Sequence, residues 1–147
     1  MAIEVFNRYE HKYLLDRKSF LRAQEIMSFH MKSDPYNING KPYTIANIYY
    51  DTPDDYLIRN SLEKPAYKEK LRLRAYGVPG MDTKVFLEIK KKYNGIVNKR
   101  RSVLKLSEAY RFTETGILPR YQDYMNPQVL SELSYFLNFY QPIPKLY

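Results

Sequence analysis

The sequence predicts an α+β fold: an antiparallel sheet with a cation-rich polar face, flanked by helices. Three observations predict it. First, three segments place charged side chains at every second residue: Arg8-Tyr9-Glu10-His11-Lys12, Lys70-Leu71-Arg72-Leu73-Arg74 and Phe86-Leu87-Glu88-Ile89-Lys90-Lys91-Lys92. In a strand, residues i, i+2 and i+4 share one face. Arg8, Glu10 and Lys12 therefore point together, as do Lys70, Arg72 and Arg74, and Glu88, Lys90 and Lys92. The alternate positions of the second and third segments are apolar: Leu71, Leu73, Leu87 and Ile89. Second, Asn94-Gly95 separates two strand-like runs, and both residue types accept positive φ, which is the requirement of a tight hairpin. Third, apolar residues recur at helical spacing from Phe20 to Met27 and from Val129 to Tyr140.

The elements follow in order. Residues 3–15 read as a strand. Asp16 can cap a following helix, because its carboxylate accepts from the free amides of a first turn. Phe20, Leu21, Ala23, Ile26 and Met27 then mark an amphipathic helix near 17–31. Ser33-Asp34-Pro35 and Asn39-Gly40 are turn signals. Tyr43 to Tyr50, rich in Tyr and Ile, reads as a strand. Thr52-Pro53 reads as the start of a short helix, with Thr52 as cap and Pro53 where its missing N–H costs nothing; Tyr56, Leu57 and Leu62 would face inward. Asp54 and Asp55 fit its first turn, where acids complement the helix dipole. Residues 66–76 form the basic strand, Gly77-Val78-Pro79-Gly80 a turn, 84–92 the next strand, and 96–104 its hairpin partner. Ser107 opens a helix that Gly116 ends. Asn126-Pro127 opens another, with Val129, Leu130, Leu133, Phe136, Leu137 and Tyr140 on its buried face and Pro142 beyond its end. Lys145-Leu146-Tyr147 reads as the beginning of a further strand.

Composition narrows the function. A chain of 147 residues, 44% hydrophobic, fits one domain with a core of its own. No run of ~20 apolar residues is present to span a membrane. The first residues have neither the basic nor the apolar region of a secretory signal. There is no Cys, hence no disulfide framework or thiolate metal site, and a cytoplasmic setting is expected. The net charge is +8, and half of the 24 Lys and Arg lie in residues 8–12, 70–74 and 84–101. Clustered cations set up a local potential that draws anions. His11 and His30 have no ligand spacing and read as ordinary residues.

Cations on one face repel one another, by about 1 kcal/mol per pair at 4 Å in water and about 4 at an effective dielectric of 20. Such a face suits a bound polyanion. Arg72 and Arg74 can each bind phosphate oxygens with two donors, while Lys12, Lys70, Lys90 and Lys99 act as point charges; Arg8, Lys92 and Arg101 complete the set. Phosphoryl transfer asks a protein chiefly for positioning and charge stabilisation. Glu10 and Glu88 are the carboxylates on these faces. They are either ligands of a divalent cation that bridges phosphate oxygens or ion-pair partners that relieve the repulsion.

Arg8 to Leu15, Tyr49-Tyr50-Asp51-Thr52, Lys70 to Tyr76, Phe86 to Lys92 and Asn98-Lys99-Arg100-Arg101 together resemble the VTC domain. This is the polyphosphate polymerase domain of vacuolar transporter chaperone complexes and their bacterial relatives, within the triphosphate tunnel metalloenzymes. The resemblance implies an antiparallel β tunnel with a polar lumen, and transfer of the γ-phosphate of ATP to a polyphosphate chain with Mn²⁺ or Mg²⁺. By the same resemblance Lys12 contacts the transferred phosphate, Arg72 and Arg74 clamp the triphosphate, and Lys90 and Lys99 line the lumen. Glu10 takes the last acidic place of the superfamily's E-x-E-x-K pattern, and Arg8 stands at the earlier one. Since such domains are longer, residues 1–147 read as the N-terminal portion of a single VTC-like domain, with the C-terminal strands missing and open sheet edges that invite a second copy.

Three alternatives stand beside this reading. A triphosphatase would use water as acceptor. A non-catalytic module would bind polyphosphate or a nucleotide without turnover. A nucleic-acid binder is the weakest, because no DNA- or RNA-binding motif is present.

Overall fold

A computed structural model describes residues 11–32, 34, 37 and 43–146. The chain divides into two compact units, one within Arg8–Tyr43 and one built mainly on Thr44–Tyr147.

The smaller unit holds α1, Arg17–His30. Asp16 caps it as its residue type suggests, with Oδ1 accepting from the Ser19 N–H at 2.7 Å. The same hydrogen bond holds the Asp16 carboxyl below its ordinary pKa. The strand expected over 3–15 is not found in its described part, where His11–Asp16 has no regular structure. A strand exists only when its N–H and C=O groups bond to a neighbouring strand, and charge alternation alone does not supply the neighbour. Residues 3–10 lie outside the described residues.

The larger unit is a five-stranded antiparallel sheet in the order β4-β3-β2-β1-β5, built from β1 (Ile45–Asp51), β2 (Tyr67–Tyr76), β3 (Lys84–Tyr93), β4 (Ile96–Lys105) and β5 (Ile143–Leu146). Among the described residues the sheet is open, with β4 and β5 at its edges. The β3–β4 hairpin turns at Asn94 and Gly95, whose φ angles of 45° and 88° are those expected of the Asn-Gly pair. The run Lys145-Leu146 pairs with β1, as its strand-like pattern suggests.

Helices cover one face of this sheet. α3 (Leu106–Thr115) and α4 (Pro127–Tyr140) bury Leu106, Ala109 and Phe112, and Val129, Leu130, Leu133, Phe136 and Leu137. Beneath them lie Leu71, Leu73, Ala75, Val85, Leu87, Ile89 and Leu104. Glu108 accepts from the Lys105 N–H at 2.8 Å to close the first turn of α3. Gly116, at φ 68°, ends that helix. Asn126 caps α4 by accepting from the Val129 N–H at 3.1 Å, and Pro127 follows at the first helical position.

The start of α2 (Tyr56–Leu62) differs from expectation. Thr52-Pro53 lies in a turn ahead of the helix, and the buried carboxylate of Asp51 takes the main capping role. Its two oxygens accept from the N–H groups of Leu57 at 2.8 Å and Ile58 at 2.9 Å, while Thr52 Oγ1 accepts from Tyr56 N–H at 2.8 Å. A charged two-oxygen acceptor satisfies more free amides than one hydroxyl. Asp54 and Asp55 are structural, but as ion-pair partners of Arg59 and Lys145 at 2.9 and 3.1 Å ahead of the helix. Of the three residues expected to face inward, Leu57 is buried, whereas Tyr56 and Leu62 are exposed. A seven-residue helix is about two turns long and turns only part of its surface inward, and Tyr56 lies over Tyr140 instead, ring centroids 6.3 Å apart.

Candidate functional site

Pleating sends successive side chains of a strand to opposite sides, so the sheet has a second face that α3 and α4 do not cover. Register then decides which residues meet on it. Tyr49 opposes Arg72, which opposes Glu88, which opposes Arg101. The next row runs Lys70, Lys90, Lys99, and the row on the other side runs Asn47, Arg74, Phe86, Val103. Seven of the cations singled out from sequence thus share this face: Lys70, Arg72, Arg74, Lys90, Lys92, Lys99 and Arg101. On β2, β3 and β4, Glu88 is the one carboxylate among them.

Glu88 is the hub. Its side chain is only 3% exposed. Oε2 accepts from Arg72 Nε at 3.0 Å and from Arg72 Nη2, and Oε1 pairs with Lys99 Nζ at 2.7 Å. Burial pushes the Glu88 carboxyl up, but the bonds from Lys99 and Arg72 outweigh it and leave its pKa below the ordinary value. Burial likewise works against the Arg72 charge, and Glu88 and Tyr49 more than offset it.

Three residues that sequence reasoning passed over complete the face. Tyr49 accepts at its hydroxyl from Arg72 Nη1 at 3.2 Å. Asn47 Oδ1 accepts from Arg74 Nε at 3.0 Å. Phe86 lies under Arg101, whose guanidinium carbon is 4.7 Å from the ring centroid, a cation–π arrangement. Each neutral residue orients a guanidinium without cancelling its charge. Their shared face was readable from strand alternation, but their partners depend on register.

The remaining sequence-derived candidates are Lys12, Arg8 and Glu10. Lys12 lies in the irregular segment His11–Asp16, within the smaller unit. Arg8 and Glu10 lie outside the described residues. Among the described residues no group of three or more His, Asp or Glu is placed to hold a metal ion. Glu88 has both oxygens paired with cations, Arg72 and Lys99, the arrangement of the ion-pair reading.

The covered face treats charge differently. At its end, Glu132 of α4 pairs with Arg100 at 3.0 Å and Lys91 at 3.4 Å. Glu69 pairs with Lys91 at 3.9 Å and accepts from the Tyr140 hydroxyl at 3.1 Å. Burial, with Glu69 beside it, pushes the Tyr140 hydroxyl up to about 12.

Fold and site together define an α+β domain whose sheet is covered by helices on one face and cationic on the other. A family model described as the VTC domain matches residues 7–147, and the chain belongs to that family. The match runs past Arg101, through α3, α4 and β5, beyond the motifs that suggested it. No curated protein and no solved structure matches the chain. Among the described residues no helix is long and apolar enough to cross a membrane.

Proposed function

We propose that the basic face binds condensed phosphate, as the triphosphate of ATP and as polyphosphate, and that it forms one wall of a tunnel in which the γ-phosphate of ATP passes to a polyphosphate chain. One observation carries this reading: the seven cations singled out from sequence, on three adjacent strands, share a face on which those strands place a single carboxylate. A phosphate chain offers a negative charge at each unit and relieves repulsion that the protein's own acids leave in place. Membership of the VTC domain family supports polyphosphate as the anion.

Arg72 and Arg74 are the clamp, because a planar guanidinium held at one edge by Glu88 or Asn47 keeps other N–H groups for phosphate oxygens. Lys70, Lys90, Lys92, Lys99 and Arg101 neutralise charge along the chain. In-line transfer needs the donor phosphate held and its developing charge matched, which a rigid row of cations does. Lys12 and Arg8 as phosphate contacts and Glu10 as a metal ligand belong to the same proposal on family resemblance alone. A divalent cation, Mn²⁺ or Mg²⁺, would supply further charge neutralisation on the phosphate oxygens. Association of two copies through open sheet edges is part of the proposal for the β5 side. The β4 edge carries Lys99, Arg100 and Arg101 in succession, which discourages pairing there.

Incubation with ATP and Mn²⁺, read by long-chain polyphosphate formation, tests the transfer. Polyphosphate with stoichiometric ADP supports it. Orthophosphate release alone assigns a triphosphatase, and salt-sensitive tripolyphosphate binding without ADP assigns a binding module. Failure to bind tripolyphosphate at low salt removes the reading altogether. Sedimentation as a monomer at high concentration removes the edge association.

A further inference from the structure

Glu88 occupies an unusual position. It is nearly sealed from solvent at 3% exposure, yet it lies on the cation-rich face between Arg72 and Arg101. Its contacts are directional. Arg72 gives it a side-on fork through Nε and Nη2, and Tyr49 takes a third N–H of the same guanidinium at 3.2 Å. An arginine has five N–H donors. Three are used in fixing its plane, and the other two are left for an incoming anion. Lys99, at 2.7 Å from the other oxygen, is drawn in from the neighbouring strand.

We propose that Glu88 is a positioning residue: it holds Arg72 and Lys99 in the geometry that receives a phosphate, and so strengthens anion binding even though it is itself an anion. This rests on the reading of the basic face as a phosphate site. The physical argument is one of pre-organisation. An unpaired arginine among like charges would swing out toward water, and binding would first have to immobilise it, at roughly 0.5–1.5 kcal/mol per side chain. A buried carboxylate does that ordering during folding. The competing role, plain neutralisation of repulsion, predicts the opposite sign, because removing a negative charge from a cationic face should then tighten binding of any anion.

The test is calorimetric titration with tripolyphosphate in EDTA, so that no divalent cation takes part. Glu88→Gln should weaken binding about tenfold, about 1.4 kcal/mol, despite the added net positive charge. Glu88→Asp keeps the charge and withdraws it by about one C–C bond, 1.5 Å; it should weaken binding as well. In an Arg72→Ala background Glu88→Gln should cause a smaller loss, since only the positioning of Lys99 is left to remove. Equal or tighter binding by Glu88→Gln overturns the proposal, as does wild-type affinity in Glu88→Asp or an undiminished loss in the Arg72→Ala background. If Glu88→Gln does not fold, Glu88→Asp decides alone. Wild-type protein that fails to bind tripolyphosphate sinks the functional reading and this role with it, whereas wild-type binding with an indifferent Glu88 sinks only the positioning role.

Discussion

On the helix-covered face of the sheet, Lys91 and Arg100 are met by Glu69 and Glu132. On the opposite face of the same strands, the seven cations singled out from sequence lie with one carboxylate, Glu88, which pairs with Arg72 and Lys99. Lys91 and Lys90 are adjacent in sequence, as are Arg100 and Lys99, and each pair is split between the two faces. Folding therefore had the means to balance these charges and did so where burial demanded it, because an unpaired charge under a helix is costly. The face opposite α3 and α4 gains nothing for stability from its excess of cations. The proposed bound polyanion would offset that excess.

The sharpest way to separate the two faces is to damage the covered one. Phe112→Ala or Leu133→Ala removes a fully buried side chain and should lower unfolding free energy by about 3–5 kcal/mol. Tripolyphosphate affinity of the molecules that remain folded should stay unchanged. Urea denaturation beside calorimetric titration measures both, and a large affinity loss without a stability loss would erase the distinction between the faces.

Glu132→Ala is next in size. It strips Arg100 of its 3.0 Å partner and Lys91 of one of its two. A fully buried broken pair costs about 3–5 kcal/mol. Here the Arg100 and Glu132 side chains keep 20% and 25% exposure, so about 2 kcal/mol is expected after allowing for solvent screening. Chemical denaturation of the single variant reads it, and a change within about 0.5 kcal/mol would place this cluster with ordinary surface pairs.

Arg74→Ala reverses the pattern. Arg74 bonds to the neutral Asn47 at 3.0 Å, so its removal leaves no buried charge behind. Stability should stay within about 0.5 kcal/mol of wild type, while tripolyphosphate affinity falls at least about tenfold, about 1.4 kcal/mol. Unaltered affinity would remove Arg74 from the site. Arg72→Ala is less clean, because it also exposes Glu88 to the loss of one of its two cationic partners.

The smallest expected effect is one of pH. The Glu88 carboxyl lies below its ordinary pKa in the folded protein. A depressed folded pKa means the unfolded chain takes up the proton first, so stability from this group is present above the unfolded value of about 4.3. It is lost as pH falls through the folded value. Urea midpoints followed from pH 6 downward should show a decline that Glu88→Gln partly flattens. An identical pH dependence in wild type and variant would show that the Arg72–Glu88–Lys99 cluster contributes nothing to it.

Much of this was legible in the chain. The alternation in Lys70 to Arg74 and in Glu88 to Lys92 correctly indicated which side chains lie together, because a strand's pleat is a local property. Asn94-Gly95, Asp16, Gly116 and Asn126-Pro127 were legible for the same reason: turns and caps are decided within a few residues. The cap of α2 was missed because the effective acceptor, Asp51, sits at the end of the preceding strand, outside the window in which caps are sought. The strand expected at 3–15 is absent from its described part, His11–Leu15, because alternation of side chains does not by itself supply a pairing neighbour.

Sequence alone determined that Lys70, Arg72 and Arg74 stand on one side of their strand and Leu71 and Leu73 on the other, since tetrahedral carbons along an extended backbone leave no alternative. Tertiary structure decided that Arg72 meets Glu88 and Tyr49, that Arg74 meets Asn47, and that Arg100 goes under α4 while Lys99 and Arg101 do not. Those choices depend on inter-strand register and on which face the helices cover. Turn lengths and the packing of residues such as Phe112 and Leu133 set both, at a distance in sequence that no local pattern spans.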